Sequence, residues 1–119
     1  MGSGAFGPLD VTWASRAEDP AGRTSPEELI AAAHASCYSM ALSHALAQDG
    51  TPPEQLDTSA TVTFVPGTGI TKIALRVRGT VRGIDEAGFL AKAEGAKAGC
   101  PVSKALAGVP EITLDAALA

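Results

Sequence analysis

After Pro26 no glycine or proline interrupts the chain until Gly50, which Thr51-Pro52-Pro53 follows. A helix from Pro26 to about Gln48 would be roughly 34 Å long at 1.5 Å rise per residue, so the rest of this 119-residue chain has to be arranged around it. Its start is marked by Ser25 as N-cap, Pro26 at the first helical position and Glu28 three residues beyond the cap to complete a capping box. Ile30, Ala33, Cys37, Met40, Ala41 and His44 or Ala45 recur at helical spacing. That pattern predicts a core helix with Cys37 on its apolar stripe.

The flanking segments carry different signals. The glycine-rich opening MGSGAFGPLD reads as a loop or frayed end, and Leu9, Val11 and Trp13 alternate with Asp10 and Thr12 as in a short strand with one buried face. Residues 17 to 24, with Pro20 and Gly22, read as a turn. Beyond the helix, Ala60, Val62 and Phe64 alternate with threonines, Pro66-Gly67-Thr68-Gly69 makes a turn, and Ile73, Leu75, Val77 and Val81 continue as a second strand. Residues 86 to 98 return to helix, with Asp85 as N-cap and Gly99 as stop. Cys100-Pro101 opens a short helix over 101 to 107, and Ile112 and Leu114 mark a last strand. The order is strand, long helix, hairpin, helix pair, strand, which predicts one α+β domain, residues 1 to 119, with helices packed on a mainly antiparallel sheet.

Apolar residues make up 45% of the chain and aromatics only 4%. The core must therefore come from Ala, Val, Leu and Ile, which bury little area each, and burial between subunits is expected to supplement it. The net charge of -4 and the spacing of the basic residues argue against a nucleic-acid partner. Arg76, Arg78 and Arg82 read as one solvated strand face. No apolar run approaches the ~20 residues that span a bilayer. A cytoplasmic protein is expected, where structural disulfides are rare.

Two cysteines then remain to be explained. Cys37 and Cys100 lack the spacing of a zinc site, and His34, one turn before Cys37, would bring a ligand set to only three. Plain packing and a dithiol pair are the other readings. Cys100, at a predicted helix N-terminus, should carry the more acidic thiol, whereas Cys37 sits mid-helix and needs a positive group from elsewhere. Arg16 is the nearest upstream candidate, and spacing alone does not separate it from Arg23 or Arg76.

The segments SPEELIAAAHASCYSMALS (25 to 43), GCPVSKAL (99 to 106) and Ile112-Thr113-Leu114-Asp115 together resemble the OsmC/Ohr family of thiol-dependent hydroperoxide reductases, and His34 in A-A-H-A-S-C is similar to the OsmC branch. The resemblance implies an OsmC-like fold in an intertwined homodimer. It implies Cys37 as peroxidatic and Cys100 as resolving cysteine, Arg16 as the group that stabilises the thiolate, and Glu27 as its orienting partner through a bidentate ion pair. It further implies a small hydrophobic hydroperoxide as substrate, no bound cofactor or metal, and an external dithiol reductant, of the lipoyl type for instance. The family pattern also places an additional N-terminal strand and hairpin before the position of Met1.

Spacing adds a constraint to that assignment. Glu27 and Cys37 are about 15 Å apart along a straight helix, so the helix bends, Arg16 bridges the gap, or the Glu27 beside a given Cys37 belongs to a second chain. The intertwined dimer fits the third arrangement. A non-catalytic redox-responsive or small-ligand-binding domain is the competing reading. His34 and His44 are expected as satisfied helix histidines, Tyr38 and Met40 as core or pocket lining, and Ser103 and Lys104 as neighbours able to tune Cys100.

Overall fold

The computed structural model describes residues 2–18 and 22–119. The predicted turn at 17 to 24 falls partly outside them. The long helix, α2, spans Pro26–Gln48, and Ser25 Oγ accepts the backbone N–H of Glu28 at 3.2 Å, which is the hydroxyl half of the expected capping box. Asp49 caps the other end. Ahead of it lies α1, Trp13–Ala17.

The expected first strand is not formed. Thr12 and Ser15 exchange reciprocal capping bonds, each N–H donating to the other's hydroxyl at 3.0 Å, and so start a helix at Trp13. Among the described residues, what pairs here is a single parallel bridge between Val11 and Thr24. Leu9, Val11 and Trp13 consequently stay exposed in this chain. Local capping outweighs apolar alternation here because no neighbouring strand offers a face to bury.

Strands β1 (Pro53–Val65) and β2 (Gly69–Val81) form the predicted hairpin, antiparallel throughout, with Thr68 N–H closing the turn on the Val65 carbonyl at 3.0 Å. Gly67 and Gly69 adopt φ of 83° and 112°, conformations that L side chains rarely take. Helices α3 (Glu86–Gly99) and α4 (Pro101–Ala105) follow, and β3 (Glu111–Leu118) closes the chain. Asp85 caps α3 as predicted, accepting the Gly88 N–H at 2.8 Å.

The sheet order is β1-β2-β3, and β3 joins β2 in parallel with Ile112 opposite Ile73 and Leu114 opposite Leu75. A parallel neighbour needs a long crossover, which α3 and α4 provide. The sheet is thus a three-stranded mixed one, with the antiparallel hairpin as its longer pairing. Arg78 reaches Asp115 across the parallel pair at 3.1 Å, Arg76 lies 4.0 Å from the same carboxylate, and Arg82 pairs with Glu54 at 2.6 Å. The basic run is a solvated face, as expected, and such pairs add little stability.

Helix α2 lies across β1, with α3 and α4 beside it. Its buried row is His34, Tyr38, Leu42 and Leu46, and the last three join Leu75 and Val77 of β2, Phe89 and Ala96 of α3 and Cys100 in one core. The predicted stripe was rotated from this row. Met40 is 74% exposed and Ala33 is exposed, while Cys37 sits half-buried at the edge of the core. Alanine has too little side chain to distinguish one helix face from another, so the larger Tyr38 and Leu42 set the rotation. The Tyr38 hydroxyl finds its partner in the Ala93 carbonyl at 3.0 Å.

One close approach fixes how α3 meets the sheet. A Cβ on Gly79 of β2 would lie 2.8 Å from Cε1 and Cζ of the buried Phe89 ring and 3.2 Å from Leu56 Cδ2. Gly79→Ala is therefore expected to lower stability by about 1–3 kcal/mol. Gly95→Ala, with nothing within 4 Å in the interior of α3, should raise it by about 0.5–1 kcal/mol. Denaturant unfolding of the two variants tests the pair; equal midpoints would contradict this packing.

Candidate functional site

The four residues singled out in the sequence fall into two clusters on α2 and its neighbours. The first contains the sulfurs. Cys37 lies midway along α2 and Cys100 caps α4, and their Sγ atoms are 3.1 Å apart, both as free thiols. Residues 63 positions apart meet because α4 leaves the end of α3 directly against α2. Among the described residues no group of three or more His, Cys, Asp or Glu is placed to hold a metal ion.

The two thiols are not equivalent. Burial pushes the Cys37 thiol up, and its contact with Cys100 adds to that rise more than the Val102 backbone N–H offsets. Burial also works against a charge on Cys100, but there the backbone N–H of Ser103, the Cys37 thiol, the Ser103 hydroxyl and the Val102 N–H together outweigh it and lower the pKa. Cys100 is thus the more acidic of the pair in this chain, as its place at a helix start led one to expect.

The second cluster holds the charges. Arg16 on α1 directs Nε (2.8 Å) and Nη2 (2.7 Å) at the same Glu27 oxygen, Oε1. The expected bidentate ion pair thus converges on one carboxylate oxygen, and Glu27 Oε2 is buried without a hydrogen-bond partner among the described residues. Ser15, next to Arg16, ties α1 to the start of α2 by donating to the carbonyls of Thr12 and Thr24 at 2.8 and 3.0 Å. The guanidinium lies 4.2 Å from the Phe64 ring centroid and 5.7 Å from that of Trp13, and the two rings meet edge to face at 6.1 Å.

Trp13 and Phe64 were not recognised from sequence as partners of Arg16. Trp13 stands three residues before Arg16 on one helical face, a spacing that carries the signal once α1 is seen as a helix. Phe64 comes from the end of β1, and only the fold brings it there. Arg76, a rival candidate, is engaged with Asp115 on the far strand, and Arg23 is exposed.

Arg16 and Glu27 line a cavity of about 360 Å³ with Ala31, Ala60, Val62 and Phe64. Cys37 does not border it. The helix between Glu27 and Cys37 is continuous, so within one chain the cationic cluster and the sulfur pair occupy separate places on α2. Chemically, one cluster is a pair of thiols in contact, and the other is an oriented cation beside a cavity whose Ala31, Ala60, Val62 and Phe64 face is completed by polar groups including Ser15, Glu28 and Thr61.

The OsmC-like protein family model matches residues 18–115. The chain is 52% identical over 95 residues to the peroxiredoxin OsmC of Escherichia coli, and equally to that of Shigella flexneri, an alignment covering 77% of this chain and 65% of either relative. It therefore spans about 65% of the length of the curated relatives it matches. Among solved structures, an organic hydroperoxide resistance protein OsmC from Legionella pneumophila superposes with a TM-score of 0.75 at 25% identity, over 92% of this chain and 80% of that one. The organic hydroperoxide resistance protein OhrB of Bacillus subtilis gives 0.67 at 23% identity, over 93% and 82%, and shows the shared fold.

The inequality of the thiols is directly measurable. In the single-chain arrangement, the ultraviolet thiolate absorbance of Cys37→Ser, which reports Cys100, should rise at lower pH than that of Cys100→Ser, which reports Cys37. The reverse order would show that a cation outside the sulfur cluster already acts on Cys37.

Proposed function

The chain belongs to the OsmC family, and from that premise we propose that it is a cysteine-dependent peroxidase that reduces organic hydroperoxides to alcohols. The observation that carries this reading is the 3.1 Å contact between two free thiols at the edge of an apolar core. In the proposed cycle the Cys37 thiolate attacks the distal peroxide oxygen. The O–O bond breaks, the alcohol leaves with a proton, and Cys37 becomes a sulfenic acid. The Cys100 thiolate then attacks Cys37 Sγ, an S–S bond replaces the S–O bond, and the departing hydroxide takes a proton as water. An external dithiol restores both thiols by exchange. The sulfurs need an approach of about 1 Å to reach the ~2.05 Å of a disulfide.

Cys37 is the less acidic thiol within the chain, so the first step needs a cation that this sulfur cluster lacks. Arg16 is the candidate. Glu27 and the Phe64 ring fix its orientation, yet its cavity does not include Cys37. We assign the pairing of Arg16 with Cys37 to a homodimer, in which the Arg16–Glu27 cluster of one subunit covers the Cys37 of the other. The unpartnered Glu27 Oε2 and the exposed Trp13, Leu29 and Met40 support an approach of that kind. In that setting Arg16 would lower the Cys37 pKa and stabilise charge developing on the peroxide, a contribution of roughly 10²–10³ in rate for a well-placed donor. Ala31, Ala60, Val62 and Phe64 form the apolar part of a lining that Ser15, Glu28 and Thr61 complete, and that part offers an alkyl or aryl hydroperoxide contacts that hydrogen peroxide cannot use.

Peroxide consumption in the presence of excess dithiol tests the chemistry: tert-butyl hydroperoxide should be turned over by the parent protein and by neither Cys37→Ser nor Arg16→Met at a comparable rate. Survival of turnover in Cys37→Ser would remove the proposal. Mixing the two inactive variants tests the shared site. Random exchange places an intact Cys37 opposite an intact Arg16 in one site of each mixed dimer, so about a quarter of the parent activity should return. A site built within one chain would recover nothing.

A further inference from the structure

His34 is fully buried, the one imidazole in the core. Its Nε2 lies 2.7 Å from Ser103 Oγ on α4, while its Nδ1 is buried with no partner among the described residues. The catalytic cycle proposed above leaves this group without a role, although Ser103 is the residue whose N–H and hydroxyl both act on Cys100.

The unpartnered nitrogen decides the tautomer. A neutral imidazole has one N–H and one lone pair. Placing the hydrogen on Nδ1 would strand a buried donor, whereas placing it on Nε2 gives the donor a partner and leaves only an acceptor unsatisfied, the less costly defect. Burial lowers the His34 pKa and keeps the ring neutral. With the hydrogen on Nε2, the short contact becomes Nε2–H donating to Ser103 Oγ. The Ser103 hydroxyl proton is then not spent on His34, and Ser103 stands at the third position of the helix that Cys100 caps, within the turn that carries the sulfur.

We infer that His34 is a positioning residue for Cys100: its Nε2–H holds the Ser103 oxygen so that the hydroxyl proton points at the Cys100 sulfur. This rests on the peroxidase reading for its purpose. In the resolving step Cys100 must be a thiolate when Cys37 has become a sulfenic acid, and a hydroxyl donor at the attacking sulfur raises the fraction of Cys100 in that form. His34 touches neither the substrate nor the reacting sulfurs. Its place in the A-A-H-A-S-C run, one turn before Cys37, lets the same helix carry the peroxidatic sulfur and the group that tunes its partner.

The test reads the thiolate and not peroxide turnover, so it stands whether or not the protein proves to be a peroxidase. In a Cys37→Ser background, Cys100 is titrated by ultraviolet absorbance; the neighbours acting on it from the packed elements are position 37, Tyr38 of α2, and Val102 and Ser103 of α4. Ser103→Ala and His34→Ala should each move the midpoint to higher pH, and the double variant should move it no further than Ser103→Ala alone. Additive shifts, or no shift in a folded His34→Ala, would overturn the inference. Should His34→Ala fail to fold, His34→Gln and His34→Asn decide the matter. The glutamine amide reaches the Nε2 position and should retain the low midpoint, the asparagine amide reaches only Nδ1 and should not, and equal midpoints would count against the relay. Nitrogen chemical shifts of His34 should report the Nε2–H form; the Nδ1–H form would overturn it directly.

Discussion

The row His34, Tyr38, Leu42 and Leu46 on α2, buried against the sheet and α3, is the constraint from which the rest of the molecule follows. It fixes the rotation of a 23-residue helix. With that rotation set, Cys37 falls at the core edge facing α4, and Glu27, near the start of the same helix, faces α1 and β1. Tyr38 contributes beyond its area, since its hydroxyl bond to the Ala93 carbonyl pins α2 to α3, the helix that delivers Cys100. The sulfur contact is thus a consequence of core packing and needs no dedicated loop.

Electrostatics divides what packing brings together. At the sulfur pair, the polar groups that open α4 favour charge on Cys100. The cation sits with its carboxylate and two aromatic rings at the start of α2, where ring faces and Glu27 hold it in one orientation. Preorganisation of this kind lets a guanidinium act on charge that develops during a reaction without first having to reorganise. The proposed two-chain site would join these halves and give the exposed Trp13, Leu29 and Met40 a surface to cover.

Much of the fold was legible in the sequence because its signals were local. Ser25-Pro26, Asp85, Pro66 to Gly69 and Cys100-Pro101 each mark an element boundary by backbone chemistry, and the elements begin or turn there. What was hidden depended on contacts between distant segments. The buried face of α2 was obscured by alanines that fit either face, and the Ser103 partner of His34 comes from a segment 69 positions away. The Thr12–Ser15 capping box was present in the sequence, but the alternation of Leu9, Val11 and Trp13 masked it. The parallel docking of β3 on β2 and the stacking of Phe64 on Arg16 join residues that no local pattern connects. The family resemblance supplied the roles of Cys37, Cys100, Arg16 and Glu27, whereas spacing alone supplied the distance between the clusters.

The most direct test of the central claim is a single turnover of the fully reduced protein with one equivalent of cumene hydroperoxide, followed by intact mass. Coupling of the sulfurs predicts stoichiometric release of the alcohol and a product two hydrogens lighter, with Cys37 and Cys100 linked in one peptide map. Unchanged mass and unconsumed peroxide from a folded, reduced protein would contradict the account.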